Sequence, residues 1–286
     1  EGKAKIIDLI ANNYDIIARF NGGANAGHTI ETDHGKIALH QIPSGIFYPD
    51  KILYIGSGCV VNLKKTLEEI QAVEKLGISL KNRLFISDQA SLVQPHHILV
   101  DIHTTKGIGT TKNGIGPAYA DKATRMENGK LTNVKIGDLL DDPDLFHQIK
   151  EKLEETIHQY HVTDYDVATE LTQLKQTLIT LTPFIQRDTL FLQKLVEQGK
   201  TVLFEGAQSV MLDVTKGSVP YVTSSNTVAG AAYVGGDLPP QFHRKTIGVA
   251  KAIMSRVGNG PFVSEYGGEE SENYCMQGTK HNKDYE

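Results

Sequence analysis

Four short segments concentrate residue types that could hold a phosphate or a nucleobase. Gly2-Lys3-Ala4-Lys5 leads into a helical run of apolar positions at Ile6, Ile7, Leu9 and Ile10. A glycine and a lysine at a helix start suit an anion, because free backbone N–H groups and the helix dipole face it while lysine adds a point charge. Ala4 stands where a Walker A motif needs Ser or Thr. The second segment, residues 21–29, places Asn25 and His28 among three glycines that let backbone approach a ligand closely. Asn25 can donate and accept toward a base edge, and His28 can act as acid or donor near neutral pH. The third, residues 107–119, sets Thr110 and Thr111 between glycines and is followed by Asp121, Lys122 and Arg125. Adjacent hydroxyls suit an oxyanion, and a guanidinium can clamp phosphate with two parallel bonds. The fourth runs from Phe204-Glu205-Gly206-Ala207-Gln208 to the hydroxyls of Thr223, Ser224 and Ser225. Gln208 suits an amide-like base edge. Taken singly, each segment also reads as a basic helix start, a surface loop or a turn.

The elements around these segments alternate in type. Tyr14–Phe20, Lys51–Ile55, Leu84–Ser87, His97–Asp101 and Thr246–Ala250 read as strands, and Thr201–Phe204 reads as a buried one. Asn62 sits where an N-cap belongs, Leu63, Leu67, Ile70, Val73 and Leu76 follow at helical spacing, and Gly77 closes the pattern. A short helix is expected through Tyr119 and Lys122. Leu145, Ile149, Leu153 and Ile157, then Leu171, Leu174 and Leu178, mark a helical subregion at about 144–198. The expected fold is α/β, with a mostly parallel central sheet, flanking helices and a helical insertion, all in a single nucleotide-binding domain over 1–286. Ligands bind where loops leave strand ends in such sheets, and the four segments border predicted strands.

Lys plus Arg is 29 and Asp plus Glu is 34 over 286 residues, a net charge of −5. That balance argues against a general nucleic-acid or anionic-membrane binder. The apolar stretches fall short of the ~18 residues of a membrane helix. Cys59 and Cys275 are isolated from each other and from any histidine cluster, which excludes a disulfide framework or a zinc site and points to a reducing compartment, the cytoplasm. The chain opens at Glu1 without Met and closes on a polar stretch, so both ends are expected to be cut.

Seven segments in fixed order carry a more specific signal: EGKAKIID (1–8), GGANAGHT (22–29), HQIPSGI (40–46), GIGTTKNGIGPAYADK (107–122), FEGAQ (204–208), PYVTSSNT (220–227) and RVGNGPF (256–262). Together they resemble the adenylosuccinate synthetase family, GTP-dependent ligases that join IMP and L-aspartate in AMP synthesis through 6-phosphoryl-IMP. The resemblance implies a P-loop-NTPase-like sheet, a magnesium ion and a homodimer. It also implies that a general base precedes Glu1 and that aspartate- and guanine-binding parts lie beyond residue 286. Glu1, Gly2, Lys3, Ala4 and Lys5 match the phosphate loop, with Ala4 in place of a usual glycine. Glu1, Gly2 and Lys3 are shared between GTP and IMP, and Gly27, His28 and Thr29 extend the GTP side. Asn25, Ala26, Gly27, His28, Thr111, Gln208 and Thr223 match IMP contacts, and Arg125 an arginine supplied by the neighbouring subunit. His28, Lys3 and Gln208 match catalytic positions, and the Gly27 carbonyl matches a magnesium ligand. Two alternatives stay open: a related ligase acting on dGMP, and a non-catalytic nucleotide-binding relative.

Overall fold

The computed structural model describes residues 2–25, 27–32, 35–104, 110–252, 254, 256, 260–263 and 265, with the side chains of 28–32, 35 and 36 outside that description. Five strands form one sheet, in the order Ile185–Gln186, Leu84–Ser87, Ile52–Ile55, Ile16–Arg19, Val202–Glu205, and each neighbouring pair is parallel. Ile16–Arg19 is buried throughout, as expected for a strand covered on both faces. Side chains alternate between those faces. Ile16, Ala18 and Tyr54 pack with Leu192 and Leu238 on one side. Ile17, Leu53, Ile55 and Leu84 pack on the other, with Ala4, Ile7, Ile70, Val73, Ile149, Leu178 and Leu181 from the flanking helices.

Helix Lys3–Ala11 starts after Gly2, whose backbone is left-handed at φ 88°. Helix Leu63–Lys75 is capped by the Asn62 side chain, which accepts from Lys65 N at 3.0 Å, and it ends before Gly77 at φ 79°. Helices Leu145–Gln159 and Val167–Leu181 fill the subregion read as helical. The same subregion also holds the strand Ile185–Gln186, too short for a periodicity signal, which extends the central sheet beside Leu84–Ser87.

Three expectations are corrected. His97–Asp101 is not a strand but part of helix Pro95–Thr104. Pro95 pre-sets the first turn, and His97 and Asp101, four apart, share one buried face. Thr246–Ala250 is irregular and exposed, with no described strand alongside to accept its backbone hydrogen bonds. Val202–Glu205 is a strand, yet only Glu205 is fully buried, because it forms an edge of the described sheet. The antiparallel hairpin of His28–Thr32 with Gly35–Leu39 was not expected at all.

Gly58 carries a packing constraint. Gly58 N donates to Gly235 O at 2.9 Å, and a Cβ at Gly58 would stand 2.2 Å from Phe20 O and 2.4 Å from Gly235 Cα. Gly58→Ala is expected to destabilise the protein by at least about 1–3 kcal/mol in chemical denaturation. Gly230→Ala, where a Cβ meets nothing within 4 Å, should stay within about 0.5 kcal/mol.

Candidate functional site

The strands from Ile16 through Leu84 to Ile185 step across the sheet in one direction, and Val202–Glu205 then returns to the opposite side of Ile16–Arg19. The carboxyl ends of Ile16–Arg19 and Val202–Glu205 therefore flank the point where strand order reverses, which is where open α/β sheets leave a ligand crevice. The four segments meet there. Asn21 Nδ2 donates to Ala207 O (3.1 Å), Asn226 O (2.9 Å) and Ser225 Oγ (3.3 Å), while its Oδ1 accepts from Ala207 N at 2.9 Å. Lys3 Nζ donates to the carbonyl of Gln208, whose backbone is left-handed at φ 67°. Asn113 Nδ2 donates to Ala24 O at 2.8 Å. The Tyr119 hydroxyl accepts from Gly22 N at 2.9 Å and donates to Gly58 O at 2.8 Å. A Cβ on Gly116 would stand 3.4 Å from Ser224 Oγ, so the glycine lets the hydroxyl run lie close.

Buried charge sits under this junction. Arg19 and Glu205 are register partners at the strand ends and are 1% and 0% exposed. Glu205 accepts from Ser44 N and Ser44 Oγ at 2.8 and 2.7 Å, and Arg19 Nη1 donates to His40 O at 3.2 Å. Burial and the nearby Arg19 guanidinium push the Lys3 ammonium below its ordinary pKa, against the pull of Glu205. Two carboxylates position the loops. Asp101, 2% exposed, accepts from Thr110 Oγ1 (2.9 Å) and Gly114 N (2.8 Å), bracketing the threonine loop. Asp213 accepts from the backbone N–H groups of Thr215, Lys216 and Thr227 at 2.8, 2.8 and 2.6 Å. Burial would raise its pKa, but these hydrogen bonds outweigh that and hold the carboxyl at about 2.

Of the residues singled out by sequence, Lys3 and Gln208 touch directly, and Gly2 opens the helix beside them. Ala4 is buried in the core and Lys5 is exposed. Asn25 Oδ1 accepts from Gly23 N at 3.4 Å. Gly27 is exposed, and a Cβ there would lie 3.5 Å from His40 Nε2. His28 and Thr29 begin the hairpin, paired with Leu39 and Ala38. Glu69 accepts the N–H groups of His40, Gln41 and Ile42, each at 3.1 Å, and so anchors the exit of that hairpin. Thr223 N donates to Leu212 O at 2.8 Å, two residues before Ser225 and its contact with Asn21. Thr111 is exposed beside Thr110. Glu1 and Ala26 lie outside the described residues. Arg125 is not brought in. It is exposed at the far end of the 10-residue helix Ile115–Thr124, about 15 Å along the axis from Gly114.

Sequence reading missed Arg19, Glu205, Asp101 and the polar role of Asn21. The available signal was a charge closing an apolar strand, as in Ile-Ile-Ala-Arg and Val-Leu-Phe-Glu. It also missed a trio in which His96 Nε2 and His97 Nε2 lie 3.3 and 3.0 Å from Asp121 Oδ2. The spacing resembles a metal site. However, His97 Nδ1 accepts from Gln94 N at 3.0 Å, so the ring's proton is on Nε2 and that nitrogen has no lone pair for a cation. Burial lowers His97 to a pKa of about 4, which keeps it in that neutral form.

Fold and site define a parallel α/β protein with four glycine- and hydroxyl-rich loop segments gathered at its topological switch point. The family model for adenylosuccinate synthetase matches residues 1–283. The chain is 50% identical over 276 residues to adenylosuccinate synthetase 2 of Cupriavidus pinatubonensis, covering 96% of this chain and 60% of that protein. It is 42% identical over 291 residues to the adenylosuccinate synthetase of Chlorobium limicola, covering 97% and 65%. Among solved structures, a fully ligated adenylosuccinate synthetase from Plasmodium falciparum superposes with a TM-score of 0.84 at 36% identity, over 97% of this chain and 65% of that one. A cyanophage S-2L succinoaminodeoxyadenylate synthetase bound to dGMP and dATP matches with a TM-score of 0.60 at 20% identity, over 84% and 57%, which shows a shared fold alone. The chain belongs to the adenylosuccinate synthetase family, and it spans less than two thirds of the length of these relatives.

Asp213 gives this site a pH signature. A carboxyl held at about 2 against an ordinary 3.8 contributes stability that is present above 3.8 and lost as pH falls through about 2. Asp213→Asn should therefore lower stability at neutral pH and flatten the acid limb of the stability curve across that interval. Urea unfolding at a series of pH values measures both effects.

Proposed function

We propose that this chain forms part of a GTP-dependent ligase that joins IMP and L-aspartate into adenylosuccinate through 6-phosphoryl-IMP. The observation that carries the reading is the convergence of four ligand-suited segments at one switch point, on a chain of this family. Transfer of the GTP γ-phosphoryl group to O6 of IMP spreads negative charge over the phosphoryl oxygens, so the protein must offset that charge. Lys3 at the start of helix Lys3–Ala11 supplies a cation where burial strengthens its field, and the first-turn N–H groups add to it. Gly2, Ala4, Lys5 and Thr29 complete the GTP phosphate loop. His28 donates a proton or hydrogen bond to charge that develops on the departing phosphate. Gln208 and Asn25 read the hypoxanthine edge, while Thr111 and Thr223 contribute hydroxyls to IMP.

The exposed Gly27 suits a magnesium ion, because a backbone carbonyl is a hard oxygen donor and phosphate oxygens can supply the others. When bound, the ion neutralises charge on the β- and γ-phosphate oxygens. The exposed Arg125, carried away from its own crevice by the helix, suits the IMP phosphate of a neighbouring subunit in a homodimer. The cytoplasm, where GTP and IMP occur, is the expected compartment.

Two measurements on the full-length protein test this. His28→Asn should lower kcat by about 10²–10⁴-fold with a small change in KM, since the interaction forms in the transition state; a loss under tenfold removes His28 from the chemistry. Lys3→Ala and Arg125→Leu should each be inactive alone. Mixing them under subunit exchange should restore activity up to about a quarter of wild type, because half the dimers are mixed and one of their two sites is intact. No recovery after demonstrated exchange means that Arg125 does not serve a neighbouring site.

A further inference from the structure

Arg125 carries an exposed guanidinium that no hydrogen bond or ion pair among the described residues engages. Its backbone, by contrast, is tightly held. Arg125 sits at φ 67° and ψ −49°, a conformation that a residue with a Cβ rarely adopts. Glycine would end the helix Ile115–Thr124 here without strain. An arginine in that place is explained by a use for its side chain, and such strain persists only where surrounding contacts over-determine it.

Those contacts come from the returning chain. Arg125 runs into an antiparallel hairpin of Met126–Glu127 with Lys130–Leu131. Asn128 and Gly129 join the strands at φ 49° and 78°, the two positive angles of a type I′ turn. A two-residue turn fixes register. Glu127 pairs with Lys130 and Met126 with Leu131, so Thr132 comes opposite Arg125. One ion pair from each strand ties the hairpin to helix Leu145–Gln159, Lys152 with Glu127 at 2.9 Å and Lys130 with Glu151 at 2.8 Å.

Thr132 is 8% exposed and engages all of its polar groups. Its N–H donates to Arg125 O at 3.1 Å, its hydroxyl donates to Asp121 O at 2.9 Å, and its carbonyl accepts from Gln94 Nε2 at 2.7 Å. Arg125 N donates to the same Asp121 O at 2.9 Å. Arg125 is thus held at its N–H and at its carbonyl, and the Thr132 hydroxyl locks both contacts to one acceptor.

We propose that Thr132 is a positioning residue for Arg125. Its hydroxyl and N–H hold the strained backbone that keeps the guanidinium turned out of its own subunit, available to the phosphate of IMP bound by a neighbouring one. The proposal rests on the role proposed above for Arg125.

Calorimetric titration of the full-length protein with IMP tests it. Thr132→Val keeps the side-chain shape, removes the hydroxyl and should raise the Kd for IMP about three- to tenfold, the loss expected for one buried hydrogen bond. Thr132→Ser keeps the hydroxyl and should bind within about twofold of wild type. A merely structural Thr132 is separated by a double-mutant cycle. Arg125→Leu should weaken IMP binding, and adding Thr132→Val should weaken it no further. Should Thr132→Val fail to fold, Gly129→Val takes its place in the cycle, because a Cβ there meets nothing within 4 Å and strains only the turn that sets the register. Unaltered IMP binding in the variant used, equal losses in Thr132→Val and Thr132→Ser, or full additivity in the cycle overturns the role of Thr132 and leaves that of Arg125 standing. Unaltered binding in Arg125→Leu overturns the role of Arg125 and this proposal with it.

Discussion

The Asn21 side chain closes the contact on which the crevice depends. Its amide meets the backbone of Ala207 and Asn226, 186 and 205 residues further along the chain, and it uses both donor and acceptor atoms. The parallel pairing of Ile16–Arg19 with Val202–Glu205 brings those residues near, but strand pairing stops at Arg19 and Glu205. Beyond the strands the backbone has left the ladder and still needs partners, and a buried side-chain amide supplies them for both loops at once. Asn21 thereby fixes the separation between the glycine-rich loop and the Gln208 turn. Lys3, Asn113 and Tyr119 then attach the remaining segments to that junction.

Charge placement follows from the same pairing. Parallel register sets Arg19 beside Glu205 at the strand ends, where both are removed from water. Each is held by further polar contacts, Glu205 by Ser44 and Arg19 by the His40 carbonyl. Lys3 enters this environment from helix Lys3–Ala11 and feels both partners. Its ammonium is therefore held in a region of reduced dielectric, where a fixed charge acts on an anion more strongly than it would in water. Asp101, Glu69 and Asp213 work one layer out. Each binds loop backbone, so the loops carrying hydroxyls and the hairpin carrying His28 have anchored ends.

The helix Ile115–Thr124 separates two roles along one element. Its first turn, after Gly114, touches the crevice through Ile115, Gly116 and Tyr119, whereas Asp121 faces His96 and His97 and Arg125 ends in solvent. Asp121 thus ties the helix to His96 and His97, while Lys122 donates to Ser57 O at 2.8 Å and ties it to the sheet. A shift of this helix would be felt at both places.

Sequence alone determined the α/β class, the cap and stop of helix Leu63–Lys75, the paired helices after Leu145, and the four segments that could bind phosphate or base. These are local properties: a capping asparagine, a glycine stop, apolar period and loop composition act within a few residues. The ordered motifs also placed the chain in its family before any coordinates. Tertiary structure decided the rest. His97–Asp101 has the composition of a strand, but Pro95 and a buried face shared by His97 and Asp101 make it helical. Thr246–Ala250 has strand composition and no described neighbour to pair with, and a lone strand gains no ladder hydrogen bonds. The junction at Asn21, the buried pair Arg19 and Glu205, and the trio of His96, His97 and Asp121 all join residues far apart in the chain. Such contacts leave no periodicity in the sequence, because only the register and packing of the folded sheet bring their atoms within hydrogen-bonding reach.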